Sequence, residues 1–244
     1  MKINLRSPLL STPMVHAFYL FLLLNPLHAM SQDQQLKNEW ANLKKYAEDN
    51  KKLKPASKAE KRVVFMGDSI TEFWAYLDNG FFIGKPYINR GISGQTTPQI
   101  LIRFQQDVIS LKPSVVVILA GINDIAENTG PIPIENTFGN IVAMAQLAKQ
   151  HKIKVVLSSV LPAYDFRWRP GLHPAEKVIK LNALIRSYCT TNNMVYVDYY
   201  SGMADERKGL NKKFTEDGVH PTLAGYKIME PLVEKAIKKA LSQK

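Results

Sequence analysis

Five short apolar runs, separated by stretches of helical periodicity, constrain this chain more than any other feature. The runs are RVVFM at 62–66, YIN at 87–89, SVVVILA at 114–120, KVVLSS at 154–159 and MVYV at 194–197. Runs of this length without polar alternation suit strands covered on both faces, which is the condition of a parallel sheet. Helical spacing fills the intervals. A proline suited to the first helical turn opens 98–110. The window 136–150 carries Ile141, Met144, Ala145 and Ala148 at helical spacing, and 174–191 carries Val178, Leu181, Ile185 and Tyr188. A last helical window, 223–241, closes the chain. This alternation predicts a three-layer α/β/α sandwich around a mostly parallel five-stranded sheet. A chain of 244 residues with 45% hydrophobic and 22% charged content supports one such core, and a disordered or fibrous chain is excluded.

The first residues read differently. Lys2 and Arg6 make a basic start, MVHAFYLFLLL at 14–24 is an apolar run, Asn25 and Pro26 break it, and the small residues Ala29 and Ser31 follow. That order is the pattern of a secretory signal peptide, 1–31, with cleavage near 29–31. The run is shorter than the roughly 20 residues that span a bilayer, although an uncleaved N-terminal anchor is the alternative. No cysteine stands at the cleavage site, which argues against a lipid-anchored form. The expected product is periplasmic or secreted, with no stable membrane insertion after cleavage. Residues 32–60 read as a polar helix and lysine-rich linker, with a narrow apolar face at Leu36, Trp40 and Leu43. The compact domain is expected from near Lys61, over 61–244.

Cys189 is the one cysteine, so no intrachain disulfide forms, and its helical setting suggests a buried structural thiol. The net charge is +11, including Lys2 and Arg6. Such a surface favours encounter with anionic polysaccharide or lipid, or serves only solubility. No nucleic-acid motif is present.

Parallel sheets place their sites beyond the carboxyl ends of the strands. Four segments with unusual polar residues fall there or before the last helix: Gly67-Asp68-Ser69-Ile70, Asn89-Arg90-Gly91-Ile92-Ser93-Gly94, Gly121-Ile122-Asn123-Asp124 and Asp217-Gly218-Val219-His220-Pro221. Read singly, each has an ordinary explanation. Ser69 suits a helix N-cap, Gly91 and Gly94 suit turns, and Asn123-Asp124 suits an Asx-turn. Ser93, between glycines, is a rival nucleophile, but the Gly-x-Ser-x-Gly elbow is lacking. Beyond the signal, the histidines are His151, His173 and His220, and His220 has an aspartate three residues before it. No zinc-ligand or phosphate-loop motif occurs, so a cofactor-free, metal-free mechanism is the simplest.

Together, in this order, the four segments resemble the signature blocks of the SGNH hydrolases, the group that contains the GDSL esterases and lipases. The resemblance runs from about Lys61 to Leu241 and implies the flavodoxin-like fold of that group. It implies Ser69 as nucleophile, His220 as general base and Asp217 as the carboxylate that orients it. It also implies an oxyanion hole from the Ser69 amide, the Gly91 amide and the Asn123 side chain. Arg167 and Trp168 are candidates for substrate contact, because the loop at 165–171 is long, aromatic and basic; His173, before Pro174 at a helix start, is a candidate to border the site, with a structural helix-start role as the alternative. The function so implied is an exported serine esterase acting on a short-chain, acetyl-type ester of a carbohydrate or small molecule. A lysophospholipase or thioesterase, and a non-catalytic carbohydrate-binding relative, are the alternatives.

Overall fold

The computed structural model describes residues 40–57 and 59–243; the expected signal peptide lies outside them. Residues from Ala41 onward form one compact unit. Its strands are β1 (Val63–Gly67), β2 (Tyr87–Gly91), β3 (Val115–Leu119), β4 (Lys154–Ser158) and β5 (Val195–Val197). Every pairing is parallel, as the apolar runs predict, and the order is β2-β1-β3-β4-β5. β1 and β3 are buried along their whole length, because helices cover both faces.

In chain order the helices are α1 (Ala47–Lys52), α2 (Ser69–Leu77), α3 (Asn79–Phe82), α4 (Thr97–Asp107), α5 (Ile122–Ile125), α6 (Ile134–Gln150), α7 (Pro174–Thr191), α8 (Tyr200–Met203) and α9 (Leu223–Ser242). α2 and α9 pack on one face of the sheet, and α4, α6 and α7 on the other. The apolar positions at 141, 144, 145 and 148 and at 178, 181 and 185 are all buried, so the helical windows present the faces their spacing requires. α4 starts where it does because Thr96 and Gln99 form a capping box, with Pro98 in the first turn. Cys189 is buried, and burial pushes its thiol up to about 12, which leaves it inert at neutral pH.

Packing continues across Lys61, the expected start of the domain. Ala41 is fully buried and its carbonyl accepts a bond from Gln95 Nε2 at 2.8 Å. The Leu43 carbonyl accepts from Gln106 Nε2 at 2.6 Å. Asn50 donates to Asp107 Oδ1 at 2.7 Å and accepts from the Arg90 guanidinium at 2.9 and 2.7 Å. The segment before β1 is therefore bonded into the domain by polar contacts that its narrow apolar face does not announce.

Two features of the sheet position the site. Gly67 lies level with Gly91 on one side and Leu119 on the other, so β1, β2 and β3 end together. The chain also turns one way from β1 to β2 and the other way to β3, which opens a crevice between β1 and β3. Ser69 follows β1 and Asn123 follows β3, so both belong to that crevice.

Candidate active site

Ser69 is the first residue of α2, but it does not cap it. The cap is Asp68, whose Oδ1 accepts from the Ile70 amide at 3.0 Å. The Ser69 hydroxyl is thus released from the helix and lies 2.9 Å from His220 Nε2. Its amide has no partner among the described residues, as expected at a helix start.

His220 Nδ1 lies 2.6 Å from Asp217 Oδ2. The other oxygen of Asp217 accepts from the amides of Val219 and His220, both at 2.8 Å, and from the Thr215 hydroxyl at 3.2 Å. Burial works to raise the Asp217 carboxyl, but the bonds from the His220 ring and these amides outweigh it and hold the group at about 2. An ionised Asp217 fixes the imidazole proton on Nδ1 and leaves Nε2 to accept the Ser69 hydroxyl.

The loop after β2 behaves differently from the expectation placed on Gly91. The Gly91 amide donates to Asn89 Oδ1 at 2.9 Å, and its carbonyl accepts from the Tyr46 hydroxyl. A Cβ on Gly91 would stand 2.1 Å from the Glu72 nitrogen and 2.7 Å from the Asp68 carbonyl. Gly91 therefore serves the close approach of β2 to α2, and its amide is not free for a ligand. Gly94 has the opposite character. It is exposed, has φ +76° with open space around a Cβ, and its amide has no partner among the described residues. Its carbonyl accepts from Asn128 Nδ2 at 3.2 Å. Of the two glycines, it is Gly94 whose amide is left unbonded by the described residues.

Asn123 opens towards the same loop. Its Oδ1 accepts from Asn128 Nδ2 at 3.0 Å, which directs Nδ2 towards the Gln95 carbonyl, also at 3.0 Å, with one N–H to spare. Asp124 does not face a ligand. It is buried and accepts from the Thr97 amide and hydroxyl at 2.8 and 2.5 Å, tying the two loops together. Ser93, the rival nucleophile, gives its hydroxyl to Glu72 and has no histidine partner among the described residues.

Beneath these loops Arg103 is fully buried. It donates to the Gly67 carbonyl at 2.8 Å, to Gln95 Oε1 at 2.6 Å and to Asp107 at 3.0 Å. One guanidinium thus spans the end of β1 and the loop after β2.

Aromatic rings flank the histidine. The centroid of Phe73 is 5.3 Å from that of His220, and Trp168 is 6.3 Å away and half exposed. The other aromatics after Ser69 divide: Trp74, Phe81 and Phe82 are core, while Tyr76 is exposed. Arg167 donates to the Glu216 carbonyl at 2.7 Å and Arg169 to the carbonyls of Ala126 and Glu127 at 3.0 and 2.6 Å. The 165–171 loop is thereby fastened beside both the His220 and the Asn123 segments. A cleft of about 400 Å³ adjoins Asp217, with Arg167, Arg207 and Lys212 in its walls. His173 is not brought to the triad of side chains. It lines a second cleft of about 330 Å³ with Tyr164, Glu176 and Lys208, because the left-handed turn at its own position starts α7 there. Among the described residues, no group of three or more His, Cys, Asp or Glu is placed to hold a metal ion.

The GDSL-like lipase/acylhydrolase family matches residues 65–228, which covers Ser69, Asn123, Asp217 and His220. The chain belongs to this family. It is a hydrolase of ester bonds with the α/β fold of the GDSL hydrolases. The structure of a candidate acylhydrolase from Bacteroides fragilis NCTC 9343 is 52% identical and superposes with a TM-score of 0.82, covering 83% of this chain and 99% of that one. A GDSL-like lipase from Bacteroides thetaiotaomicron VPI-5482 is 53% identical, with a TM-score of 0.81 and coverage of 83% and 100%. An uncharacterized lipoprotein of Bacillus subtilis (strain 168), YqeF, is 35% identical over 81 residues, and the chain spans 33% of that relative's length. Among the described residues of this GDSL-family hydrolase, no helix is long and apolar enough to cross a membrane.

Proposed function

We propose that this hydrolase is an exported serine esterase that acts through an acyl-enzyme on Ser69. The observation that carries the reading is the unbroken line from Ser69 Oγ to His220 Nε2 at 2.9 Å and from His220 Nδ1 to Asp217 at 2.6 Å. As Ser69 Oγ bonds to the ester carbonyl carbon, its proton passes to His220 Nε2 and the carbonyl oxygen takes the negative charge. The Ser69 amide, the Gly94 amide and the spare N–H of Asn123 are the donors for that charge. Collapse of the intermediate breaks the ester C–O bond, and the leaving alkoxide takes the proton from His220. Water then repeats the sequence on the acyl-serine, releasing the acid and restoring Ser69.

The leaving alcohol receives its proton from His220, so it departs beside that ring. Trp168, half exposed beside His220, stands on this side and suits stacking on a sugar ring. This supports a carbohydrate or similar small alcohol carrying a short, acetyl-type acyl group. Export is supported by the basic, apolar, small-residue order at the start of the chain and by the partial likeness to a lipoprotein.

The test is turnover of p-nitrophenyl acetate, butyrate and octanoate by the mature protein and by Ser69→Ala. We expect the short esters to be preferred and kcat to fall by at least roughly 10³-fold in the variant. Equal rates in both proteins would remove Ser69 from the mechanism. Preference for octanoate would overturn the short-acyl assignment and leave the nucleophile standing.

A further inference from the structure

One carboxylate joins the helix that carries Ser69 to the loop that carries Gly94. Glu72 lies one turn after Ser69 on α2 and is 8% exposed. Its Oε2 accepts from the Ser93 amide at 2.7 Å and from the Ser93 hydroxyl at 2.6 Å. Its Oε1 pairs with the Lys45 ammonium at 2.9 Å. A carboxylate this enclosed is costly unless donors satisfy it; here Ser93 and Lys45 supply three, and the Tyr76 hydroxyl a fourth on Oε1 at 3.5 Å.

The partner residue makes this arrangement informative. Ser93 is an exposed loop residue, and both of its bonds to Glu72 are only part-buried. Beyond satisfying the carboxylate, these bonds orient a loop. Gly94 follows directly, at φ +76° and without side-chain packing of its own. With both polar groups of Ser93 tied to α2, the peptide plane that bears the Gly94 N–H is set relative to Ser69. Without the tie, the glycine has more directions to sample, restrained by the Asn128 bond to its carbonyl and by the Gln95–Ile92 turn bond. Lys45 offsets the charge of Glu72, which otherwise opposes negative charge developing nearby on an oxyanion.

We infer that Glu72 is a positioning residue, aiming the Gly94 amide through Ser93, and that Lys45 of the segment before β1 completes the device. This rests on the reading of Ser69 as nucleophile and of Gly94 as an oxyanion donor. The cost of misdirecting a donor falls on the transition state and not on ground-state binding, so it appears in kcat.

The experiment measures kcat and KM on p-nitrophenyl acetate, and the thermal midpoint, for Glu72→Ala, Glu72→Gln and Ser93→Ala beside Ser69→Ala. Glu72→Ala should lower kcat roughly ten- to hundredfold with KM within about twofold of the parent. Glu72→Gln, whose oxygen still accepts from Ser93, should recover most of that loss. Ser93→Ala keeps its amide and loses only the hydroxyl bond, so kcat should fall about three- to tenfold at an unchanged midpoint. If Glu72→Ala does not fold, Ser93→Ala and Glu72→Gln decide. Unchanged kcat in Ser93→Ala, or losses that follow the folded fraction or KM alone, overturn the positioning role. Full turnover by Ser69→Ala is a different result: it removes the nucleophile reading, and the role of Glu72 falls with it.

Discussion

The loop that carries Asp217 and His220 and the loop that carries Gly94 are held in opposite ways. The first is closed by its own residues. Asp217 accepts from the amides of Val219 and His220, Thr215 accepts from the Gly218 amide at 3.0 Å, and the Thr222 amide reaches the Phe214 carbonyl at 2.7 Å. The second makes few bonds within itself and is held from afar, by Glu72 on α2, Ala41 before β1, Arg103 on α4 and Asn123 and Asn128 beyond β3. A base that must meet one serine is built by a short self-contained turn. A set of donors that must converge on one point has to be assembled from every strand end at once.

The largest effect expected on the local side is chemical. In Asp217→Asn the amide Oδ1 still accepts from Val219 and His220, so the turn keeps its shape. Its NH₂ group faces Nδ1 and favours the wrong tautomer of His220. We expect kcat to fall roughly 10⁴-fold, with a stability loss of at most about 2 kcal/mol from the lost carboxylate, which the fold holds at about 2. A kinetic loss below tenfold, or a loss matched by unfolding, would break the picture of a self-contained turn serving only the histidine.

On the remote side the largest effect is structural, and two glycines separate its parts. Gly91→Ala pushes a Cβ into backbone atoms of Glu72 and Asp68, neither of which has a flexible end to move. We expect it to lose about 4 kcal/mol or more in urea unfolding. Gly94→Ala meets no atom and only strains φ, for about 1 kcal/mol. Equal costs at the two positions would mean that Gly91 is not pinned as described, and would reopen its amide as a donor.

This difference also explains what was legible in the sequence. Strands appear in it because β1 and β3 are buried on both faces, and an apolar run is the direct record of that burial. Asp217 and His220 appear in it because their contact spans three residues. The choice between Gly91 and Gly94 does not, because both are glycines in one short segment. What separates them is the pairing of Gly91 with Gly67 across the sheet. One local signal was available: the capping box at Thr96 and Gln99 starts α4 at 97 and leaves Gly94 in the loop before it. Glu72 under Ser93 and the polar attachment of Ala41 to Asn50 leave no comparable trace. Each depends on a partner far away in the chain, and helical periodicity does not distinguish a core residue from one bordering a site.

Asp68 tests the floor on which both loops stand. It is fully buried, one of its oxygens has no partner among the described residues, and burial pushes its carboxyl up to about 7, against the pull of the Ile70 amide. Asp124 pushes in the same upward direction. A carboxyl that titrates near 3.8 when unfolded and near 7 when folded holds a proton in the native state that the unfolded chain has released. Stability must therefore fall as pH rises from about 4 to about 7, by about 3 kcal/mol from this group. Asn in its place keeps the oxygen that caps α2 and has nothing to ionise. Urea unfolding at pH 5 and pH 8 should show the parent losing stability and Asp68→Asn losing markedly less, with a residual slope from Asp124, whose carboxyl burial also raises. The same slope in both proteins would mean that Asp68 is ionised and satisfied in the fold. Ser69 would then stand over a fixed negative charge, and the oxyanion donors would have to overcome it.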